Sequence, residues 1–402
     1  MKKQTGAIML VAGTCIGSGM IALPMLLAKI GIIPSVILML AMWYIVYYTS
    51  LVSIEINLQA GSGTPLGGLA KKYSGKIAEI IGTLSFKILS YALMSVYIYG
   101  GTSILQKMLE SSLNQNYSFG LIASIYSLII IAILMLPLKA LDYINRLLFV
   151  GLLAIVSLLM VGLLTSMNWS NLPLFSDSYG DLLIWSTILP VLFTSFGFQV
   201  IFHTLTNYCN NDAKILKKAF FWGSLIPAIA YILWTCSILG SVHQNNPSFY
   251  IKMLNGEVEV GELIKELSLI AKWPFVQLLV WWISLLAIVT SVLGIGMGLK
   301  DSLNIILENK IKKTISLRLA TALITILPAY IIAILIPNAF IAVLGFAGMI
   351  LVVIAILLPI YLLTKIENKN KFYLELNSKS LIWISIIIGF IIIICQIRNI
   401  LS

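Results

Sequence analysis

The stretch Gly13-Thr14-Cys15-Ile16-Gly17-Ser18-Gly19 interrupts the first apolar segment of the chain, which covers roughly residues 6–28. Three glycines in seven residues oppose a continuous helix, because each Gly costs about 1 kcal/mol relative to Ala in a helix interior. Inside a bilayer, the backbone groups released by such a break find no water, so they persist only where protein or a cavity surrounds them. The stretch therefore predicts a broken membrane-spanning helix that binds something polar at mid-depth.

The composition indicates that most of the chain lies in a membrane. Of the 402 residues, 60% are hydrophobic and 10% are charged, and a spanning helix needs about 20 mostly apolar residues. We therefore predict an all-α integral membrane protein that forms one transmembrane domain over residues 1–402. Eleven transmembrane helices are expected, at roughly 6–28, 33–58, 80–106, 118–137, 147–167, 182–205, 217–241, 274–299, 315–336, 338–363 and 380–397.

The net charge of +11 could indicate nucleic-acid binding, but its placement indicates a membrane topology. Most of the 26 Lys and Arg residues fall in the N-terminus and in every second connection between the apolar segments. This asymmetry is the positive-inside signal. It predicts a cytoplasmic N-terminus and, with eleven helices, a C-terminus outside. The lipid bilayer is an expected partner, and a nucleic acid is not.

A second break is expected in the sixth apolar segment, at Phe193-Thr194-Ser195-Phe196-Gly197-Phe198-Gln199, with Pro190 just before it. The two breaks lie five segments apart, and their helices run in opposite directions in the predicted topology. This is the pattern of an inverted repeat. Helices one to five, about 6–167, would form one repeat and helices six to ten, about 182–363, the other, with an extra helix at about 380–397.

The two breaks together suit a zwitterion. The outward half-helix would begin near Gly19 and present free N–H groups to a carboxylate. The helix ends near Gly13 and Ser195 would present carbonyls to an ammonium group, so an amino acid is the expected ligand. A helix kink that serves packing alone, or contacts between small residues, is the alternative. The substrate-binding candidates at the breaks are Gly13, Ile16, Gly17, Ser18, Gly19 and Ser195.

Aromatic and polar side chains at similar depth extend this prediction. Phe196 and Tyr97 are candidates to stack on an aromatic substrate, although ordinary core packing explains such residues equally well. The hydroxyls of Thr290 and Ser291 could face the carbonyls of the first break and hold sodium. Alternatively, they bond back to their own helix.

Ionisable residues inside spans are candidates for function. Glu55 and Lys87 share a predicted depth, and they could form a structural ion pair or act in proton coupling. His203 and His243 are the only histidines, and the four cysteines show no paired spacing. We expect no metal site and no cofactor. Because no catalytic cluster and no continuous polar pore are visible, neither an enzyme nor a channel is expected.

The segment VAGTCIGSGMIALP at residues 11–24 resembles the first-helix signature of the bacterial hydroxy and aromatic amino acid permease family. Further similar stretches are LAKKY at 69–73, NRLLF at 145–149, FTSFGF at 193–198, TSVLG at 290–294 and LGFAG at 344–348.

The resemblance implies eleven helices in a leucine-transporter-like fold, with a 5+5 inverted repeat and broken helices one and six. It also implies proton symport of tyrosine, tryptophan or phenylalanine across the bacterial inner membrane by alternating access. A sodium-coupled or broader-specificity amino acid transporter is the alternative. One departure concerns selectivity, because this chain has Gln199 where the family usually has His after Phe-Gly-Phe. Gln199 is a further substrate-binding candidate, beside the ring of the substrate. Without an imidazole at this position, strict tyrosine selectivity and a proton-carrying role there are not expected.

Overall fold

The chain folds almost entirely into helices. A computed structural model describes residues 3–61, 63–166, 168–270, 274–307, 314–336, 340–366 and 371–401, and no β-strand occurs within these ranges. The helices of the first half are α1 Lys3–Cys15, α2 Gly19–Leu27, α3 Ile32–Ala60, α4 Leu66–Ser74, α5 Lys76–Leu113, α6 Phe119–Leu134 and α7 Leu138–Ser166. The helices of the second half are α8 Leu182–Ser195, α9 Phe202–Tyr208, α10 Ala213–Asn245, α11 Pro247–Asn255, α12 Val260–Ile270, α13 Pro274–Leu307, α14 Thr314–Leu335, α15 Phe340–Val352, α16 Leu358–Lys365 and α17 Lys379–Leu401.

The predicted all-α class is confirmed, and each predicted apolar segment coincides with a helix or a helix pair. Within the described residues, eight helices are long and apolar enough to cross a membrane, or nine if α1 and α2 form one bent span. Helix α6 has 16 residues, about 24 Å of helix, whereas a bilayer core is about 30 Å thick. The count of eleven spans therefore stays a prediction.

The broken first helix lies at the centre of the molecule. All nine residues of α2 are buried, which is typical of a helix that is apolar on every side. Helix α1 packs along α10, and α2 packs against α8 and α10. The contact between α1 and α10 is close, because a Cβ on Gly223 would lie 2.5 Å from Val11 Cβ.

The long helix α5 also lies at the centre of the molecule. It has 38 residues and packs against α13, α14 and α15, while α13 also packs against α7. By contrast, α17 has few buried residues, and its large apolar side chains face outward. Such a helix suits a lipid-facing position. The centre of the fold therefore consists of α1, α2, α5, α8, α10 and α13, which surround the two breaks.

Candidate functional site

The first break turns the chain by 51° between α1 and α2. Helix α2 begins at Gly19, as predicted. The prediction that α1 ends near Gly13 is wrong by two residues, because α1 continues to Cys15. The backbone N–H of Ile16 still donates to Ala12 O at 3.1 Å, so helical hydrogen bonding persists past the first glycine. Gly13 itself lies under the ring of Phe149, away from the break.

N–H groups without a backbone carbonyl partner are concentrated at the start of α2, and that of Gly17 reaches the Tyr231 hydroxyl. Within the described ranges, the N–H groups of Gly17, Ser18 and Gly19 find no backbone carbonyl partner. Ser18 occupies the N-cap position, and its side chain makes no cap hydrogen bond. These groups coincide with the positive end of the helix dipole, where an anion is favoured by about 0.3–1 kcal/mol or more. The break can therefore bind a carboxylate with main-chain atoms alone.

The second break interrupts the sixth apolar segment where the sequence predicts it. Helix α8 ends at Ser195, a 3-10 turn covers Gln199–Ile201, and α9 follows. Residues 196–198 lie outside regular helix. The stretch Leu182–Tyr208 nevertheless forms one apolar span of 27 residues, so this break interrupts the helix without a sharp turn.

The two breaks touch each other. A Cβ on Gly19 would lie 2.7 Å from Ser195 Cβ and 2.9 Å from the hydroxyl of Tyr231 on α10. The Tyr231 hydroxyl lies 2.5 Å from Cys15 O and 3.0 Å from Ser195 O. A tyrosine hydroxyl has one proton, so it can donate fully to only one of these carbonyls. The last carbonyl of α1 and the last carbonyl of α8 therefore converge on a single donor.

Aromatic side chains surround this meeting point. Phe196 is fully buried and packs edge-on against Tyr231, with ring centroids 5.6 Å apart. Tyr97 of α5 brings its hydroxyl to the hydroxyls of Ser18 and Ser291. Gln199 is 7% exposed. Neither polar atom of its side chain has a hydrogen-bond partner in the described part of the chain.

The predicted sodium ligands are bonded to their own helix. Thr290 Oγ1 donates to Leu286 O at 2.8 Å, and Ser291 Oγ donates to Ala287 O at 2.9 Å. This is the alternative considered from the sequence, and it does not place the two hydroxyls on the carbonyls of Gly13 and Ile16. Ser291 does reach the break, because a Cβ on Gly17 would clash with its Oγ.

Glu55 is fully buried near the end of α3. Its carboxylate accepts hydrogen bonds from Gln59 Nε2 at 2.8 Å, from Phe372 N at 3.0 Å and from Tyr373 N at 3.3 Å. Among the described residues it forms no ion pair with Lys87, so the predicted pairing is wrong. The backbone at Phe372 and Tyr373 lies against the end of α3 and supplies the donors that a lysine would otherwise provide.

Residues 371–378, here called the tether, also hold α10. The Tyr373 hydroxyl donates to Ala213 O at 2.9 Å, and Glu375 pairs with Lys217. The hydrogen bond from Lys217 lowers the pKa of Glu375 below its ordinary value. The tether therefore connects α3 and α10, two helices that pack against the broken spans.

Two residues of interest carry no local signal in the sequence. Tyr231 lies in an apolar run, and its partner Cys15 is 216 residues away. Lys300 follows the predicted end of segment eight at about 299, but α13 continues through it. Lys300 is 3% exposed and donates to Leu134 O at the end of α6. A cation is favoured at that helix terminus.

The sequence of the whole chain matches one family. Residues 1–396 fit the model of the tryptophan/tyrosine permease family. The chain belongs to this family. The family membership predicted from the motifs is thereby confirmed, and the protein is a multi-pass membrane permease and not an enzyme.

Several relatives match this permease over nearly their whole length. The tyrosine-specific transport system 1 of Haemophilus influenzae is 32% identical over 92% of this chain and 90% of its own. The tryptophan-specific transport protein of Pseudomonas aeruginosa is 28% identical over 88% of this chain and 84% of its own. The glutamine transporter 2 of Aliivibrio fischeri is 27% identical over 98% of this chain and 99% of its own.

Proposed function

We propose that the permease is a secondary active transporter that imports an aromatic amino acid across the bacterial inner membrane by proton symport. Tyrosine is the first candidate substrate, with tryptophan and phenylalanine next. The observation that carries this proposal is the meeting of the two breaks, where Tyr231 lies between the carbonyls of Cys15 and Ser195. The names of the tyrosine and tryptophan relatives support the substrate class.

Each part of an amino acid has a proposed partner at the breaks. The carboxylate binds the N–H groups of residues 17–19. The ammonium group, which only donates hydrogen bonds, binds Cys15 O and Ser195 O, where one hydroxyl proton now serves two acceptors. The ring lies between Phe196 and Tyr97, since aromatic rings gain about 0.5–1.5 kcal/mol from edge-on or offset packing. No charged side chain is needed.

The architecture we propose is one domain of eleven spans with a 5+5 inverted repeat. Helix contacts support it, because the repeat relates the third span to the eighth and the tenth to the fifth. The pair α5 with α15 and the pair α13 with α7 are both in contact. The same relation maps the contact of α1 with α10 onto that of α3 with α8 and α9. Alternating access would move the broken helices around a fixed site, with the N-terminus cytoplasmic and the C-terminus outside.

Proton coupling is proposed through Glu55, because it is a fully buried carboxylate and ionisable residues inside spans are costly unless they function. Protonation would remove the charge that holds the N–H groups of Phe372 and Tyr373, and it would loosen the tether from α3. Sodium coupling through Thr290 and Ser291 has less support, since both hydroxyls already bond to their own helix.

The test is uptake of labelled tyrosine into proteoliposomes under an imposed proton gradient or an imposed sodium gradient. Unlabelled tryptophan, phenylalanine, leucine and glutamine serve as competitors. Accumulation with the proton gradient alone, blocked by at least one aromatic competitor and not by leucine or glutamine, is expected. Accumulation with the sodium gradient alone would indicate sodium coupling, with Thr290 and Ser291 as the proposed ion ligands. If glutamine is taken up and no aromatic amino acid is, the aromatic substrate class is refuted.

A further inference from the structure

Gln199 is an exception among the polar side chains of the second break. Thr194 Oγ1 donates to Pro190 O at 2.8 Å and Ser195 Oγ donates to Val191 O at 2.9 Å. The amide of Gln199, in contrast, has neither a donor nor an acceptor within reach in the described ranges. Buried polar groups are hydrogen-bonded in the great majority of native structures, and each exception requires an explanation.

The surroundings of Gln199 make this exception costly. The side chain is 7% exposed, and Phe196 and Phe198, which precede it in the chain, are fully buried. The other buried polar atoms without partners in the described residues lie singly on their side chains, whereas Gln199 has both Oε1 and Nε2 unpaired. A buried amide in apolar surroundings loses its water without compensation. A ligand that offers a hydrogen-bonding group would remove this cost.

The Gln199 amide can accept a hydrogen bond from the substrate through Oε1 and donate one through Nε2. It would accept a hydrogen bond from the hydroxyl of tyrosine or the ring N–H of tryptophan, and it could donate to the tyrosine oxygen. Phenylalanine has no such group on its ring and would leave the amide unpaired. Sites that hydrogen-bond a substrate hydroxyl reject the analogue without it strongly, because the buried polar group of the site then stays unsatisfied.

We propose that the Gln199 amide binds the polar group at the ring end of the substrate, so that the permease accepts tyrosine and tryptophan and rejects phenylalanine. This inference rests on the proposed function, because it assigns a substrate class to the same site. Gln199 then determines specificity, while the main-chain groups of the breaks bind the part common to all amino acids.

The test compares tyrosine and phenylalanine uptake by the wild-type permease and by Gln199→Leu in proteoliposomes. The wild type should favour tyrosine at least about tenfold. Gln199→Leu should lower tyrosine uptake about tenfold, retain phenylalanine uptake and bring their ratio close to one. The matched control is Gln106→Leu. Gln106 lies near the C-terminal end of α5, and its Nε2 donates to Tyr117 O at 2.9 Å. It should keep the wild-type ratio.

Thermal unfolding of the purified proteins separates a binding role from a folding role. Without substrate, Gln199→Leu should unfold at the same temperature as the wild type or higher, because an apolar side chain replaces an unpaired polar one. Tyrosine should stabilise the wild type and Gln106→Leu more than Gln199→Leu. If Gln199→Leu fails to fold, Gln199→Met gives the same comparison with an unbranched side chain.

The outcomes distinguish this inference from the proposed function. Equal uptake of tyrosine and phenylalanine by the wild type, or an unchanged ratio in Gln199→Leu, would overturn the role of Gln199 and leave the proposed function in place. If the wild type accumulates no aromatic amino acid under either gradient, the proposed function fails and the specificity role fails with it.

Discussion

At the scale of single residues, the glycines of the first break are required for close approach. Gly17 lies against Ser291 of α13, and Gly19 lies against Ser195 of α8. A methyl group at Gly19 would overlap Ser195 Cβ, which cannot rotate away. A methyl group at Gly17 would overlap Ser291 Oγ, which can move only by giving up its hydrogen bond to Ala287 O. By contrast, a Cβ on Gly294 of α13 would meet no atom within 4 Å. A methyl group therefore meets neighbouring atoms at Gly17 and Gly19 but not at Gly294, although all three glycines lie in apolar spans.

Gly17→Ala should abolish most tyrosine uptake and lower the unfolding temperature. Its Cβ would overlap Ser291 Oγ, and overpacking of this kind costs typically about 1–3 kcal/mol. Adding Ser291→Ala removes the overlapping oxygen and should restore part of both properties. Uptake and thermal unfolding of the single and double variants are the measurements. Failure of the second substitution to restore either property would argue against this contact.

Tyr231→Phe should weaken tyrosine binding about three- to tenfold, because the hydroxyl no longer draws Cys15 O and Ser195 O together for the ammonium group. The size of the effect is that of one neutral hydrogen bond, about 0.5–1.5 kcal/mol. The measurement is the Kd of labelled tyrosine on purified protein. Tyr126→Phe is the control, since the Tyr126 hydroxyl is also buried but has no partner in the described residues. A Kd unchanged by Tyr231→Phe would remove this hydroxyl from the amine site.

The sequence predicts some of these residues and not others, for a physical reason. Gly17, Ser18 and Gly19 disturb helix formation locally, so their role is visible from spacing alone. Tyr231 acts across 216 residues, and nothing in its own apolar segment distinguishes it from a core aromatic. The unpaired state of Gln199 likewise depends on which atoms surround it, which only the packed structure defines.

At the scale of elements, the tether is held to α3 by Glu55 and to α10 by Tyr373 and Glu375. Glu55→Gln should weaken this contact, because charge-assisted hydrogen bonds are roughly twice as strong as neutral ones and the new NH2 group opposes the N–H donors. Hydrogen exchange at Phe372 and Tyr373 should become faster. Glu79→Gln is the control, because Glu79 pairs with the exposed Lys71. Unchanged exchange in Glu55→Gln would show that this carboxylate does not hold the tether.

The pair of Lys217 and Glu375 predicts a pH dependence of the tether. Lys217 lowers the pKa of Glu375, so the folded carboxyl titrates below the ordinary glutamate value of about 4.3. The pair therefore stabilises the fold above that value, and this contribution is lost as the pH falls through the lower, folded pKa. Lys217→Met should raise the pKa of Glu375, which carboxyl NMR on labelled glutamate can measure. The change in stability should be small, because both side chains are 39–40% exposed.

Helix positions follow from the sequence better than the segments that join them. Apolar runs determine where helices form, and the break residues determine that α2 begins at Gly19 and α8 ends at Ser195. The tether lies 317 residues from Glu55 in the chain, so its position depends on a long-range contact. A local pattern suggested a lysine partner for Glu55, whereas the folded chain provides backbone donors.

At the scale of the whole molecule, the account requires that both breaks form one site. In the described structure they already touch through Gly19, Ser195 and Tyr231. The inverted repeat, the orientation in the membrane and the coupling ion are separate predictions, of which transport assays test the coupling ion. The shared site can be tested without any of them, because it concerns binding alone.

The measurement that tests this claim most directly is saturable binding of labelled tyrosine to the purified permease, compared with Gly19→Ala and Gly294→Ala. Gly19→Ala places a methyl group 2.7 Å from Ser195 Cβ, between the two breaks, whereas Gly294→Ala meets open space. The account predicts that the wild type and Gly294→Ala bind tyrosine equally and that Gly19→Ala loses binding at least about tenfold. Wild-type affinity in Gly19→Ala would contradict a substrate site at the junction of the breaks.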